Sequence, residues 1–287
     1  MPSQNRAMDS LSKLSISEDK RNVVISDFKQ GIEEQKLALP VAAMNALIRC
    51  IRRSSSITFS GLYQELEEAI ACLRDVEVDM LAGRTNISVL SGCDLFMKYV
   101  TRSLSRQDPT NFEACKAELL AKGETYASMS QNSRHKIAEI GHSFIQEGNT
   151  VLVHGNSRVV TALIIKAAES KQFNVVITDG QPAGDGMEAA EIFIQHKIPT
   201  TIINDAAVGK YMEHVNLCLV GAEGVMENGG IVNKLGTFQV AIVAKALNRP
   251  FYVAVESYKF ARIYPLTQRD ITDMCGGKLS DDRLVRS

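Results

Sequence analysis

Residues 22–148 carry apolar side chains at helical spacing and little else. A first helix is predicted over 39–53, with Pro40 in its first turn. It places five large apolar side chains on one face: Val41, Met44, Leu47, Ile48 and Ile51. The same spacing predicts four further helices, over 58–81, 91–104, 111–128 and 132–146. Because such apolar faces need a common core, the pattern predicts an all-helical N-terminal domain.

At Asn149 the pattern changes to short apolar runs. Five of these runs predict strands, at Val151–Val153, Asn174–Ile177, Thr200–Ile203, Leu217–Val220 and Phe251–Val255. Helical patterns alternate with them, at Arg158–Ser170, Met187–Lys197, Ala206–His214 and Phe238–Leu247. Strands rich in Val and Ile that alternate with helices predict a Rossmann-like parallel sheet with helices on both faces. The predicted fold class is therefore α/β, with a helical domain at 22–148 and a Rossmann-like domain at 149–270.

Composition narrows the class of protein. The chain is 45% hydrophobic and 23% charged, with a net charge of −1, which does not favour a nucleic-acid or membrane-surface partner. The longest apolar runs fall well short of the roughly 18 residues that cross a bilayer. The polar residues 1–21 predict a disordered tail and no signal peptide. The six cysteines form no CxxC pair and lie at no metal-ligand spacing from a histidine, which predicts reduced thiols, a cytosolic protein and no metal site.

Ligands of parallel α/β sheets bind beyond the carboxyl ends of the strands. The residues predicted at that edge are small and polar: His154–Arg158, Asp179–Gln181, Asn204–Ala207, Ala222–Gly224 and Glu256–Ser257. The first of these turns, HGNSR, lacks the GxGxxG spacing of a dinucleotide site, and the sequence has no GxxxxGK[ST] loop. This edge is therefore better suited to a sugar phosphate than to NAD or ATP.

The glycine-rich stretch Val215–Thr237 is a candidate anion site. A strand that leads through glycines into a helix gathers backbone N–H groups at the helix N-terminus, where the helix dipole favours an anion. Asn233 and Lys234, just before that helix, would add an amide and a positive charge. The alternative is a tight connection in which the glycines serve geometry only.

Five long motifs are shared with one known family. They are GAEGVMENGGIVNKLGT at Gly221–Thr237, NDAAVG at Asn204–Gly209, RPFYVAVES at Arg249–Ser257, LVHGNSRVV at Leu152–Val160 and KFARIYPLTQRD at Lys259–Asp270. They closely resemble the regulatory subunits of eukaryotic translation initiation factor 2B. Two N-terminal motifs, SGCDLFMKYVTRSL and NSRHKIAEIG, resemble the alpha subunits, as opposed to beta or delta. The resemblance runs from about Asp27 to Asp270.

The same superfamily includes methylthioribose-1-phosphate and ribose-1,5-bisphosphate isomerases, which are understood to move a proton with a cysteine and an aspartate. The resemblance places Gly155 at the cysteine position and Glu223 at the aspartate position. A glycine carries no proton, and the longer side chain of glutamate moves the carboxylate by more than about 1 Å, a misplacement that can cost roughly 100-fold in rate. The resemblance therefore implies no catalytic residue. The alternative, a sugar-phosphate aldose–ketose isomerase, would need Glu223 and a partner such as His154 or Asp205, although His154 suits a structural role at a strand end.

The positions that would hold a ligand match the family better than those that would react with it. The residues expected to bind a sugar phosphate are Ser157, Arg158, Asp205, Glu223, Asn228, Gly229, Asn233 and Lys234. The resemblance implies that no cofactor is required and that a sugar phosphate would be a stabilising or regulatory ligand. The alternative is that these residues only fix the loop and its packing.

The resemblance implies a non-catalytic regulatory subunit in the cytosol. Such subunits form a homodimer that joins beta, gamma, delta and epsilon subunits into the guanine-nucleotide exchange factor of initiation factor 2. They help to sense phosphorylation of the alpha subunit of initiation factor 2, and the helical domain is the expected sensing surface, with Thr58, Ser91 and Arg134 as candidate contacts.

The C-terminal residues depart from the family pattern. Its members continue beyond this point with an acidic linker, a further strand and a last helix, whereas residues 271–287 match little of this and form a divergent tail. We therefore expect an exposed sheet edge and some exposed apolar surface near the C-terminus.

Overall fold

A computed structural model of the chain describes residues 18–35, 37–74, 76, 86–104, 112–181, 184–268 and 270–271. These residues form two compact units. The first takes its described residues from 1–77 and 92–127, and the second from 78–91 and 128–287. Most of the predicted N-terminal tail and the divergent tail after Ile271 lie outside the described residues. Glu18–Arg21, at the end of the predicted N-terminal tail, belong to the first helix.

Helices make up the N-terminal part of the chain, as the apolar spacing predicted. They are α1 (Glu18–Glu33), α2 (Leu39–Arg53), α3 (Phe59–Arg74), α4 (Ile87–Leu104) and α5 (Phe112–Gly141). The first unit has a core of large, fully buried side chains: Phe28, Met44, Leu47, Ile51, Leu62, Leu66, Leu73, Phe96 and Leu119. The predicted helical character of the N-terminal part of the chain is therefore confirmed.

Helix α2 has the bounds that the sequence predicted. Pro40 lies in its first turn, where the missing N–H leaves no hydrogen bond unmade. The helix ends at Arg53, and the N–H of the C-cap residue Ser54 donates to the carbonyls of Cys50 and Ile51. Asp27 of α1 forms ion pairs with Arg49, at 3.1 Å, and with Arg53. These pairs add a polar contact to the apolar packing of α1 against α2.

Three helix predictions are wrong in their bounds, and the helix predicted over 91–104 begins earlier, at Ile87. The predicted helices over 111–128 and 132–146 are the single helix α5, which ends at Gly141 and is followed by a 3-10 turn at His142–Phe144. The polar residues between the predicted pair lower helix propensity, but they include no proline or glycine that would stop the helix. The helix predicted over 58–81 ends at Arg74, and residues 77–85 lie outside the described part of the chain.

The second unit contains a parallel sheet of five strands in the order β3-β2-β1-β4-β7. These strands are β1 (Thr150–His154), β2 (Asn174–Thr178), β3 (Thr200–Ile203), β4 (Leu217–Val220) and β7 (Phe251–Val253). The helices that alternate with them are α6 (Arg158–Ala168), α7 (Gly186–Gln195), α8 (Val208–Met212) and α9 (Thr237–Ala246). The predicted Rossmann-like α/β class is confirmed.

Each face of the sheet is covered by a different pair of helices. Val151 and Val153 of β1 pack in one cluster with side chains of α6 and α7, including Val160 and Phe193. Leu152, between them, packs in the other cluster with side chains of α8 and α9. This alternation follows from the two-residue period of a strand and accounts for the continuous apolar runs in the sequence.

Two features of the sheet region differ from the prediction. β7 ends at Val253, two residues before its predicted end, and in the described sheet it pairs only with β4. The glycine-rich stretch after β4 contains a small antiparallel hairpin, β5 (Gly224–Val225) and β6 (Ile231–Val232), which the sequence did not predict. Strands of two residues are too short to show a period. The helix after this stretch begins at Thr237.

Candidate functional site

The loops that follow β1 and β4 meet where the strand order reverses. From β1 the chain continues to β2 and β3 on one side, and it returns to β4 on the other side. Open parallel sheets bind their ligands at this position, beyond the carboxyl ends of the strands. We call the residues gathered here the switch-point site: His154–Arg158, Asp179–Gln181, Asn204–Asp205, Gly221–Glu223 and Lys234.

His154 ends β1 and is buried. Its Nε2 lies 2.7 Å from the carbonyl oxygen of Leu235, and its Nδ1 lies 2.6 Å from the hydroxyl of Thr178. Since a carbonyl only accepts, Nε2 carries the proton and the Thr178 hydroxyl donates to Nδ1. Burial lowers the pKa of the imidazole, although the Leu235 carbonyl and the Asp205 carboxylate act in the opposite direction. His154 therefore has the structural role expected at this strand end.

Lys234 crosses from the β6–α9 loop to the turn that follows β1. Its ammonium group donates to the carbonyl oxygen of Asn156, at 3.1 Å, and forms an ion pair with Asp185. The side chains of Lys234 and Asp185 are each 21% exposed. The positive charge that the sequence predicted is present at the site, and it is paired with an internal carboxylate.

Ser157 and Arg158 lie at the start of α6. Ser157 is the N-cap residue, but its side chain makes no capping bond. Its hydroxyl faces Gly221 so closely that a Cβ on Gly221 would lie 2.4 Å from Ser157 Oγ. The loops of β1 and β4 therefore touch at this point, and Gly221 allows the approach. The N–H groups at the start of α6 form a second possible anion position.

Asp205 fixes the loop after β2. Its carboxylate accepts hydrogen bonds from the backbone N–H of Gly180, at 3.3 Å, and of Gln181, at 2.8 Å. Its Oδ1 also lies 3.7 Å from His154 Nδ1. Through these bonds the Asp205 carboxylate holds the loop after β2 in place at the edge of the site.

The remaining predicted residues lie along the β4–α9 connection. Glu223 is 8% exposed, and its backbone N–H donates to Val232 across the β5–β6 hairpin. The Asn228 side chain accepts from Gly230 N–H within the hairpin turn, and it donates to the Pro265 carbonyl in the segment that follows β7. Asn233 donates to the Thr237 hydroxyl at the start of α9, at 3.1 Å.

The predicted residues therefore fall into two groups. Ser157, Asp205 and Lys234 lie at the switch point, whereas Asn233 bonds within its own loop and Asn228 joins the hairpin turn to Pro265. Gly229 has a φ of +81°, which a glycine adopts without strain, and it serves the same turn.

Gly155 occupies the position at which the resemblance placed a reactive cysteine. Its φ is +61°, a conformation that L side chains rarely adopt. A Cβ there would lie 2.9 Å from Asp185 Oδ1 and 3.4 Å from Lys234 Cδ. The turn therefore has neither the backbone conformation nor the room for a side chain at this position.

Asp185 is the site residue that sequence reasoning missed. It lies in the segment Gly184-Asp185-Gly186, one residue before α7. An acidic residue between two glycines after a strand was the available signal. Glu256 was predicted at this edge of the sheet, but its pairing with Lys259, at 3.0 Å, was not.

The Glu256 carboxyl is 2% exposed and accepts from the Tyr258 hydroxyl at 2.9 Å. Burial alone would raise the pKa of this carboxyl, but the Lys259 ammonium group and the hydrogen bonds to the carboxylate together hold the pKa below its usual value. Lys259 also donates to the Ala222 carbonyl after β4, at 2.9 Å. This network therefore fixes the edge of the switch-point site.

The described residues also bear on the metal sites and membrane helices considered from the sequence. Among the described residues, no cluster of three or more His, Cys, Asp or Glu side chains could hold a metal ion, and no described helix could cross a membrane.

Ser91 is buried, and its hydroxyl lies 2.9 Å from the Tyr258 carbonyl and 3.1 Å from that of Phe260, so it is not available to a partner surface. Thr58 accepts from Gly61 N–H at the start of α3. Burial raises the pKa of the Cys93 thiol to about 12, which makes it unreactive.

Comparison with known proteins identifies the family that this chain matches. Residues 33–277 match the sequence model of the initiation factor 2 subunit family. Translation initiation factor eIF2B subunit alpha of Dictyostelium discoideum is 40% identical over 260 residues, which cover 90% of this chain and 79% of the relative. Ribose 1,5-bisphosphate isomerase of Archaeoglobus fulgidus is 30% identical over 178 residues, covering 62% and 54% of the two chains.

The fold is shared with a solved structure as well. A chain of the tetrameric eIF2B-beta2-delta2 complex from C. thermophilum matches 95% of this chain and 88% of its own length, with a TM-score of 0.73 and 18% identity. The similarity therefore extends over both the helical and the α/β parts of the sequence.

Proposed function

Because the chain belongs to the initiation factor 2 subunit family, we propose that it is an alpha-type regulatory subunit of eIF2B, the guanine-nucleotide exchange factor of initiation factor 2. The observation that carries the proposal is the 40% identity with an eIF2B alpha subunit, which spans 90% of this chain. In this role the chain forms a homodimer in the cytosol and joins beta, gamma, delta and epsilon subunits. It makes exchange sensitive to phosphorylation of the alpha subunit of initiation factor 2.

The turn at Gly155 supports a role without catalysis. An isomerase of this superfamily would need a proton-carrying side chain there, and the positive φ and the nearby Asp185 oxygen oppose one. His154 does not replace it, because both of its ring nitrogens are held by Thr178 and Leu235.

The same site supports a role in binding. The N-terminus of α6, the Ser157 hydroxyl and the Arg158 side chain offer donors for a phosphate group. The backbone groups and carboxylates of the neighbouring loops offer partners for sugar hydroxyls. A sugar phosphate held here stabilises the loops of β1, β4 and α9 in one arrangement, as a structural or regulatory ligand.

The test is a native purification of the tagged full chain from cells, followed by a nucleotide-release assay on what elutes. We expect the other four eIF2B subunits to elute with the chain. Depletion of the chain is expected to leave exchange on unphosphorylated initiation factor 2 and to abolish its inhibition by the phosphorylated form. A monomer without those subunits, or an equal loss of exchange on both forms, would contradict the proposal.

An isomerase assay tests the alternative directly. The purified chain is incubated with ribose 1,5-bisphosphate, and product is followed for the wild type and for Glu223→Gln. We expect no conversion by either protein. Turnover that disappears in Glu223→Gln would replace the regulatory proposal with an enzymatic one.

A further inference from the structure

Asp185 holds an unusual position for a residue that precedes a helix. It is the N-cap of α7, where an aspartate ordinarily accepts from the first N–H groups of the helix, yet it makes no such bond. Its side chain turns instead across the switch-point site to Lys234. The Asp185 carboxylate therefore occupies the place beside Lys234 where a bound anion would be expected.

Two glycines make room for this carboxylate. A Cβ on Gly155 or on Gly180 would lie 2.9 Å from Asp185 Oδ1, and both glycines have positive φ. Their turns follow β1 and β2, so two separate loops leave the same space open. The fit indicates that the carboxylate is part of the site.

One carboxylate oxygen is left without a donor. Asp185 Oδ1 is buried, and the described part of the chain supplies it with no hydrogen bond. Buried acceptors are nearly always paired, so an unpaired oxygen beside a candidate ligand site leaves the carboxylate with acceptor capacity for a ligand donor. A sugar hydroxyl is such a donor, whereas a phosphate dianion is not.

We propose that Asp185 determines the specificity of the switch-point site, by pairing with Lys234 so that this end accepts an uncharged sugar hydroxyl and rejects a phosphate group. The inference rests on the proposed sugar-phosphate site and deepens it. A phosphate that approached Lys234 would meet the Asp185 charge at close range, where like charges strongly disfavour binding. The single phosphate of the ligand then lies at the start of α6, beside Ser157 and Arg158.

With Asp185 in this role, the switch-point site binds sugar monophosphates more tightly than sugar bisphosphates. Titration calorimetry on the full chain, with ribose 5-phosphate and ribose 1,5-bisphosphate, gives the ratio of their dissociation constants. We expect the wild type to prefer the monophosphate by about tenfold or more, and Asp185→Asn to tighten bisphosphate binding by about tenfold. Glu191→Gln is the matched control, because it removes one negative charge from α7 at an exposed side chain. It should leave the ratio unchanged.

These measurements distinguish a failure of the Asp185 role from a failure of the proposed sugar-phosphate site. Equal binding of the two sugars by the wild type, or an unchanged ratio in Asp185→Asn, would overturn the role of Asp185 and leave the ligand site standing. Binding of neither sugar by any variant would overturn both. The wild-type ratio alone decides the question if Asp185→Asn does not fold, which circular dichroism would reveal.

Discussion

The imidazole of His154 donates through Nε2 to the carbonyl oxygen of Leu235, 2.7 Å away, and this bond joins the end of β1 to the loop that carries Lys234. The ring is buried and also accepts from Thr178 on β2. One side chain thus connects two strands and the loop before α9. The position of Lys234 depends on this connection.

Protonation of His154 should therefore destabilise the fold in mild acid. Burial lowers its pKa in the folded chain, so the unfolded chain binds the proton more tightly. The stability contributed by neutral His154 is present above the unfolded pKa of about 6.5 and is lost as the pH falls through the lower folded value. Urea unfolding between pH 7.5 and 5 should show a decline of at most about 1.4 kcal/mol per pH unit from this group.

The His154→Gln variant isolates the contribution of this group. It cannot take up the proton, so its unfolding free energy should vary less with pH over the same range, whatever its absolute stability. His135→Gln, at a side chain that is 74% exposed, should keep the wild-type dependence. An identical slope in His154→Gln and the wild type would show that another group titrates.

The contact of His154 with Gly236 gives a second prediction. Gly236 has a φ of +94°, and a Cβ there would lie 2.6 Å from His154 Cε1. Gly229 also has positive φ, at +81°, but a Cβ there meets nothing within 4 Å. We expect Gly229→Ala to lose about 1–2 kcal/mol of unfolding free energy from backbone strain, and Gly236→Ala to lose roughly 1–3 kcal/mol more from the collision.

Urea unfolding midpoints of these two variants would measure the difference. Because both substitutions strain the backbone in the same way, their difference reports the packing of the loop against the His154 ring. Equal losses would mean that the loop moves away from the ring at little cost.

Glu256 should be essential for the stability of the loop after β7. Glu256→Gln keeps most of the side-chain shape but leaves the Lys259 ammonium group, 18% exposed, without its carboxylate. Loss of one partner from a buried pair typically costs about 3–5 kcal/mol, and the partial exposure of Lys259 places the expected loss near the lower end. Thermal unfolding with Glu139→Gln as an exposed control would test this. A wild-type melting curve for Glu256→Gln would contradict it.

Gly92 of α4 allows a close approach to α2. A Cβ there would lie 2.7 Å from the Pro40 carbonyl oxygen and 2.8 Å from Pro40 Cα, which are rigid backbone atoms. Gly92→Ala should therefore lose roughly 2 kcal/mol or more, because the two helices would have to separate.

Gly209→Ala is the same substitution at a position where we expect it to stabilise the fold. Gly209 lies in α8, and a Cβ there has open space around it. Alanine is the better helix former by roughly 0.5–1 kcal/mol, so this variant should unfold at higher urea than the wild type. Destabilisation by both variants to the same extent would refute the distinction between a packed and an open glycine.

The sequence predicted the elements whose side chains repeat with a clear period. The apolar face of α2 was visible from its helical period, and β1, β2 and β4 were visible because strands buried on both faces give continuous apolar runs. The β5–β6 hairpin was missed because two residues show no period. The continuous α5 was missed because polar residues weaken a helix without ending it.

The site was predicted in part for a similar reason. The loops at the strand ends follow from topology, which brings Ser157, Asp205 and Lys234 to one edge of the sheet. The pairing of Lys234 with Asp185 depends on how two loops fold over each other, 49 residues apart in the chain. Local pattern carries no information on such a contact. In the sequence, this contact is reflected only in the glycines at positions 155 and 180, where the folded chain has a positive φ.

The turn at Gly155 also restricts which sequences this chain can reach by mutation. Any side chain introduced there meets both a left-handed backbone and the Asp185 carboxylate, so one substitution alone is costly. Introducing a reactive group at this turn would take a coordinated change at Asp185 or in the turn itself. Single substitutions at this position are therefore obstructed, and Gly155 is held in the chain by its backbone conformation and by Asp185 together.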